Sequence, residues 1–479
     1  MKDMFIGRDR EMAHLEAIYS EEGWKTCAVL GRRRVGKTTL LAEFCKGKRV
    51  LYFQFLNRSF SENMRRARQV MAPYTGTGEP YRYFADFLFE LAGVCREERT
   101  VVVFDEFPYL SAAEDCVASS VQCFVDQDLK GTDSMLIICG SSVSMMKGLI
   151  EGAEQPLYGR FYNRITVGPI PLADTAAFHP GMSDRDLLMT YMTVGGVPAY
   201  HRLMRRPSYS KCLEECFFSQ DAPLLQEYRM IVDYELSPAE VYSEILYAIS
   251  DGYATQKEIC QKLGISQSLF SRYADVLERL GLISSPVPML SSRRRVSYRI
   301  SDPVLAFGYG IAERHSAGVG ITEPAVICRN AKPDVQTYMG RAFEAVVAEY
   351  VLRSYGARRI GRWEGRCGGE TADIDVVATA RTEDGLDVTI LCECKFRKGP
   401  MDLQALNDLR LRAEAAGCTG NRRLMLASAG GFTSRLAEYA EDSGAMLVGL
   451  DKLLGRVPPD PLWPGPQALR RRPAGRPTR

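Results

Sequence analysis

Two stretches of this sequence carry residue types at spacings that do chemistry. The first is Gly31-Arg-Arg-Arg-Val35-Gly36-Lys37-Thr38, which matches G-x-x-x-x-G-K-[ST]. Its glycines let backbone N–H groups curl around phosphate oxygens, backed by the positive end of a following helix. Lys37 is expected to reach the β- and γ-phosphates and the Thr38 hydroxyl to hold Mg²⁺, with Gly31, Val35, Gly36 and Thr39 completing the cradle. The second stretch is Asp373-Ile-Asp375 followed by Glu393-Cys-Lys395, where acidic and basic residues sit two apart among apolar ones. Side chains two apart share one face of a strand. Carboxylates on such a face hold a divalent cation, and a neighbouring lysine helps to form hydroxide or to stabilise charge at phosphorus.

A further acidic pair follows the cradle. Val101-Val-Val-Phe104 reads as a buried strand that delivers Asp105 and Glu106 at its C-terminal end, where open α/β sheets bind ligands. Asp105 is expected to hold Mg²⁺ through water and Glu106 to polarise the water that attacks the γ-phosphate. The competing reading is an ordinary acidic turn; the position downstream of a phosphate cradle favours catalysis. A third apolar run, Met135–Gly140, ends in Ser141-Ser142. Either hydroxyl is a candidate γ-phosphate sensor, and both are equally ordinary turn formers.

The elements that must position these groups are legible as alternating patterns. Strand-like runs at Thr26–Leu30, Arg49–Phe53, Thr100–Phe104, Met135–Cys139 and Ile165–Val167, with helical stretches between them, predict a parallel sheet covered by helices. Farther on, a helical pattern over Thr337–Ser354 leads to strands at Ile374–Thr379 and Val388–Phe396. A hairpin centred near Asp384 sets Asp375 opposite Glu393 and Asp373 opposite Lys395, with opposed Cβ atoms about 4.5–5.5 Å apart. Like charges so placed are destabilising unless a cation lies between them.

Between these regions, Thr255–Leu263 reads as a helix stopped by Gly264, and Ser266 is an N-cap for a second helix, Gln267 to Leu280. That is helix-turn-helix spacing. The basic pattern Arg293–Ile300 suits a wing. Gln267, Ser268, Ser271 and Arg272 are placed to enter a major groove, with Arg293–Arg295 against phosphates; a lid or protein-contact role is the alternative.

Bulk properties set outer limits. A chain of 479 residues exceeds one hydrophobic core and implies two to four domains. A net charge of +2 gives no global attraction to nucleic acid, so any basic surface is local. The fourteen cysteines are scattered, and neither Cys212/Cys216 nor Cys392/Cys394 has a second pair at zinc-finger spacing. No run of 18 apolar residues and no signal-peptide core is present, which with the cysteine usage predicts a reducing cytoplasmic location. There is no internal repeat. The Pro- and Arg-rich stretch from Val457 predicts a disordered tail.

Phe5-Ile-Gly-Arg-Asp-Arg-Glu11, the cradle, the Asp105-Glu106 strand, Leu157-Tyr-Gly-Arg160 and Gly195-Gly-Val-Pro198 together resemble the archaeal-type AAA-like P-loop ATPases. Prokaryotic members of that group often carry a winged helix and a C-terminal domain long described only as of unknown function. The resemblance implies that Phe5 to Arg8 lie against adenine and that Arg160, or Arg164, meets the γ-phosphate in cis or from a neighbouring subunit. The C-terminal acidic face resembles the PD-(D/E)xK nuclease core. That resemblance assigns Glu344 as the helix-borne acid, Asp375 as the metal-binding aspartate, Glu393 and Lys395 as the rest of the motif, and Gln404 as a polar helper. Asp373 stands where related sequences often have Glu. The expected architecture is α/β and multidomain: an AAA-like ATPase domain with lid (1–235), a helical winged-helix domain (236–320), an α/β restriction-endonuclease-like domain (325–455) and the tail (456–479). ATP and Mg²⁺ are the expected cofactors, and DNA and a second copy through the ATPase domain the expected partners, without a membrane. The expected function is an ATPase coupled to a metal-dependent nuclease-like domain acting on DNA. The alternative is an ATP-dependent switch that binds DNA or protein and cuts nothing.

Overall fold

The computed structural model describes residues 5–290, 296–418 and 420–462. The chain divides into two compact units. The first takes the chain up to Asp174 together with Gly196–Arg202 and Asp233–Glu235. The second takes Thr175–Gly195, Leu203–Val232 and the chain from Leu236 onward.

The first unit is built on five parallel strands: β1 (Lys25–Leu30), β2 (Val50–Gln54), β3 (Val101–Asp105), β4 (Met135–Gly140) and β5 (Asn163–Thr166). Their order is β2-β3-β4-β1-β5. Each lies within two residues of the run that predicted it. In β1, β3 and β4 every residue is buried, because helices cover both sheet faces and leave none to water. Alternation along β1 and β3 divides the core in two. Cys27, Val29, Val101 and Val103 pack with Leu15, Ile18, Leu40, Leu41 and Phe44 of the helices Asp9–Ser20 and Lys37–Phe44. Ala28, Val102 and Phe104 face the other way, onto Met64, Phe84, Phe87 and Leu91. Phe87 lies 4.9 Å from Phe53 and 6.0 Å from Phe104, ring centre to ring centre, and burial of each such ring contributes roughly 1.5–3 kcal/mol.

The second unit contains a winged helix and a six-stranded sheet. The helix Gln256–Leu263 starts in a capping box, in which the Thr255 hydroxyl accepts from the Glu258 N–H and the Glu258 carboxylate accepts from the Thr255 N–H. It stops at Gly264, whose φ of 67° suits glycine. Ser266 then caps the helix Gln267–Arg279. The wing pairs β6 (Ile283–Ser284) antiparallel with β8 (Arg299–Ile300). The predicted wing cations Arg293–Arg295 lie outside the described residues, as does the part of the predicted tail (456–479) beyond position 462.

Between β6 and β8, the strand β7 (Val287–Pro288) joins the second sheet, running parallel to β9 (Arg359–Cys367). β10 (Glu370–Arg381), β11 (Asp387–Lys395), β12 (Arg422–Ser428) and β13 (Met446–Val448) complete it in the order β13-β12-β11-β10-β9-β7. The helix preceding this sheet, Pro324–Tyr355, is longer than the predicted 337–354, because Pro333 does not end it. Ile327, Ala331, Val335, Met339, Phe343, Val347, Val351 and Tyr355 form one buried stripe at four-residue spacing across the proline. One missing N–H does not outweigh that packing.

Candidate nucleotide and carboxylate sites

Lys37 opens its helix with its side chain almost fully buried, and its ammonium donates to Gly31 O at 2.6 Å, Arg32 O at 2.9 Å and Ser141 Oγ at 3.1 Å. Gly36 caps the helix at φ 96°, a conformation that side-chain-bearing residues rarely adopt. Gly31 is required for space: a Cβ there would meet Val167 O at 2.4 Å. Thr38, exposed on the next turn position, donates its hydroxyl to Asp105 Oδ2 at 3.2 Å. Thr39 stands half-buried beside it. Asp105 also accepts from the Tyr52 hydroxyl at 2.7 Å, a partner that sequence reading did not identify. Tyr52 precedes by two the residue of β2 that pairs with Asp105, so it projects to the same side of the sheet.

Glu106 takes φ 54° and ψ 38°, a left-handed backbone that costs a non-glycine residue about 1 kcal/mol or more. Its carboxylate accepts from the Ser141 N–H at 3.0 Å and, through the other oxygen, from the Ser141 hydroxyl. Ser141 thus joins Glu106 to Lys37. Ser142 instead caps the helix Val143–Ile150, accepting from the Met145 N–H. Burial pulls the Lys37 ammonium below its usual range, opposed by acids that include Glu106 and Asp105.

The N-terminal motif packs against the cradle. Arg8, itself left-handed at φ 78°, donates to Val35 O at 2.8 Å and pairs with Glu11 at 2.9 Å. Arg160 pairs with Asp126 through Nε at 3.0 Å and a terminal nitrogen at 2.8 Å, and also donates to Pro156 O and Tyr158 O. Arg164 reaches Glu151 at 3.5 Å. Both arginines are therefore engaged in ion pairs, and no hydrogen bond joins either to Lys37, Asp105 or Glu106 among the described residues.

In the second unit, β10 and β11 pair from Val376–Cys392 to Arg381–Asp387, the register expected for the hairpin, and the ladder stops one residue short of Asp375 and Glu393. Asp375 Oδ2 accepts from the Cys394 N–H at 2.7 Å. Lys395 Nζ contacts Glu393 Oε1 at 2.6 Å, as expected for side chains two apart. The expected Asp373–Lys395 pairing is absent. The β10–β11 ladder does not extend to Asp373; β10 is there paired with β9, where Asp373 faces Glu364 and its carboxylate accepts from Arg362 at 2.8 Å. Gln404 also departs from expectation: its amide donates to Asp408 at 2.7 Å. Eight residues along the helix Leu403–Ala415 from Gln404, Arg412 makes the contact instead, donating to Glu393 Oε2 at 2.7 Å. The spacing of Gln404, Asp408 and Arg412 marks one helix face, the only signal that could have found Arg412.

Burial first, then Glu393, pushes Asp375 up to about 6. Burial first, then Asp375, pushes Glu344 up to about 7. Burial works to lower Lys395, but its hydrogen bond to Glu393 and the charges of Glu393 and Asp375 leave it above its usual range. Carboxylates crowded in this way suit a divalent cation. Among the described residues no three His, Cys, Asp or Glu side chains form a ready-made metal cage.

In the helix-turn-helix, Gln267, Ser268 and Arg272 are exposed and Ser271 is half-buried, accepting from the Gln256 amide at 3.1 Å. No described helix is long and apolar enough to cross a membrane.

Residues 5–200 match a family model for an ATPase domain predominantly from Archaea, residues 235–288 one for the MarR family, and residues 311–409 one for archaeal and bacterial proteins of unknown function. An uncharacterized protein of Methanocaldococcus jannaschii is 27% identical over 385 residues, 78% of this chain and 84% of that protein. Among solved structures, a Walker-type ATPase of Pyrococcus abyssi superposes with a TM-score of 0.51 at 18% identity, covering 64% of this chain and 97% of that one. The ORC2 protein of Aeropyrum pernix, in ADPNP and ADP complexes, gives 0.42 at 13% identity, covering 71% and 97%. The ATPase and MarR family matches and the Pyrococcus abyssi structure give the chain a Walker-type ATPase fold with a winged helix.

Proposed function

We propose that this protein binds and hydrolyses ATP at Gly31–Thr38 and uses it to control a DNA-directed winged helix and a metal-dependent, nuclease-like carboxylate site. The observation that carries the reading is the set Thr38–Asp105 and Lys37–Ser141–Glu106, which gathers a lysine, a hydroxyl and two acids suited to phosphoryl transfer at the ends of β1, β3 and β4.

The residues present fit Mg²⁺. Thr38 and Asp105 would hold it together with phosphate oxygens, since this ion is commonly bound by one or two protein groups plus substrate phosphates. It would neutralise charge developing on the transferred phosphoryl group. Lys37 would exchange its carbonyl acceptors for phosphate oxygens. Glu106, held by Ser141, would orient a water and take its proton. Arg160 or Arg164 of a second copy is the proposed source of a further cation.

At the carboxylate site Asp375 and Glu393, with Glu344 beside Asp375, would hold a divalent cation, and Lys395 would stabilise charge at phosphorus. Gln267, Ser268, Ser271 and Arg272 would present polar groups to a DNA groove. The match to a MarR-family model over 235–288 supports this part of the reading.

A second reading, an ATP-dependent switch that does not cut, is favoured by one feature. Lys395 and Arg412 occupy both oxygens of Glu393, which leaves fewer lone pairs for a metal. Incubation of purified protein with DNA and Mg²⁺ or Mn²⁺, with and without ATP, separates the two. Cut DNA supports the nuclease arm; DNA of every form left intact removes it and leaves the switch.

A further inference from the structure

The cradle carries three arginines in a row, and the second of them, Arg33, is exposed. Phosphate binding by backbone N–H groups, Lys37 and Thr38 makes no use of its side chain. Among the described residues no carboxylate lies within ion-pairing distance of it. Its partner is a ring: the Arg33 guanidinium carbon lies 3.9 Å over the centre of Tyr234. Tyr234 stands in the last turn of the helix Glu227–Glu235, and Asp233–Glu235 belong with the cradle to the first unit. The Tyr234 hydroxyl accepts at 2.9 Å from that of Tyr109. Tyr109 is on the helix Phe107–Ala113, which begins directly after Glu106, and its N–H donates to Glu106 O at 3.1 Å. One side chain thus touches the cradle on its face and the Glu106 turn through its hydroxyl.

An aromatic face restrains a guanidinium without consuming its N–H donors, because the ring attracts the charge while the donors lie in the cation's own plane. The fork that matches phosphate oxygens stays available. A solvated arginine must give up rotamer freedom to reach an anion; a stacked one has already given up part of it. The link to Tyr109 sets the direction. Glu106 is the acid proposed to face the attacked phosphorus, so the ring and its cation stand toward the terminal phosphate.

We infer that Arg33, held by Tyr234, is an additional phosphate-binding cation of the nucleotide site, engaging the terminal phosphate and so favouring a nucleoside triphosphate over a diphosphate. This rests on the reading of Gly31–Thr38 as a phosphate cradle. Arg33 is the group that meets phosphate. Tyr234 is a positioning residue that acts through it.

The test uses the full-length chain, Mg²⁺ and fluorescent analogues of ATP and of ADP. Arg33→Gln should weaken the triphosphate on the order of 10-fold and the diphosphate less than about 2-fold. Tyr234→Ala should lower the same preference about 3-fold and add nothing to Arg33→Gln in the double variant. Tyr234→Phe keeps the ring and should restore the wild-type ratio. An Arg33→Gln variant that weakens both nucleotides equally, or neither, overturns the inference. Losses that add in the double variant overturn the positioning role of Tyr234. If Tyr234→Ala does not fold, Tyr234→Leu keeps bulk without the aromatic face and should show the same loss; a wild-type ratio there overturns that role. A wild type that binds no nucleotide overturns both this inference and the reading on which it rests. A wild type that binds, with its ratio unchanged in Arg33→Gln, overturns this inference alone.

Discussion

Lys37 donates to the Ser141 hydroxyl at 3.1 Å, and that hydroxyl in turn donates to Glu106, so the lysine proposed to bind phosphate and the acid proposed to orient water share one side chain. On the proposed roles, binding and chemistry fall to separate residues, and the division is measurable.

Lys37→Ala should lose nucleotide binding by a factor of about 100 or more, because its ammonium is the cradle's buried charge. Glu106→Gln should bind ATP as the wild type does while phosphate release falls about 100-fold. Titration with a fluorescent analogue and a phosphate-release assay check the two. Equal losses of affinity in both variants would contradict the division.

Gly31→Ala should destabilise the fold by about 2 kcal/mol or more, since the added methyl meets the Val167 carbonyl, a backbone atom that cannot rotate away. Urea unfolding of the variant checks this; a midpoint unchanged from the wild type would show that the cradle yields.

Arg412→Gln removes one of the two cations on a nearly buried carboxylate and should cost about 1–3 kcal/mol. Mg²⁺ or Mn²⁺ should then raise the melting temperature of this variant more than that of the wild type, and should not raise that of Asp375→Asn. A thermal-shift series in which Asp375→Asn responds as the wild type does would place any bound cation elsewhere.

His179 supplies a pH prediction. Burial first, then the nearby Arg205, lowers its imidazole to about 4. The unfolded chain, with a pKa near 6.5, therefore binds more protons than the folded one between about pH 6.5 and 4. Stability rises with pH across that window and is lost as pH falls through it. His179→Gln should flatten the slope of melting temperature between pH 6.5 and 5. An unchanged slope would assign the dependence to other groups.

The parts of the fold and site that were legible in the sequence are those in which local pattern and long-range structure agree. The strand–cradle–helix around Gly31–Thr38 is contiguous, and the apolar runs of β1, β3 and β4 are buried on both faces, so composition alone delimits them. The register of β10 against β11 followed from one short turn, because a hairpin fixes every pair once its centre is known. The pairing of Asp373 with Arg362 left no such mark, being set by a third strand. Tyr52 and Arg412 come from elements brought to their sites only by tertiary packing, 53 residues from Asp105 and 19 from Glu393. Arg160, marked for phosphate by a motif likeness, is held in an ion pair by Asp126, 34 residues away, a contact that no local pattern signalled.

The most direct test of the account is a paired assay of ATP hydrolysis and DNA cleavage, with Mg²⁺, in wild type, Lys37→Ala and Glu393→Ala. ATP control of the carboxylate site predicts that Lys37→Ala loses both activities and that Glu393→Ala loses cleavage while still hydrolysing ATP. Cleavage by Lys37→Ala at the wild-type rate would contradict it.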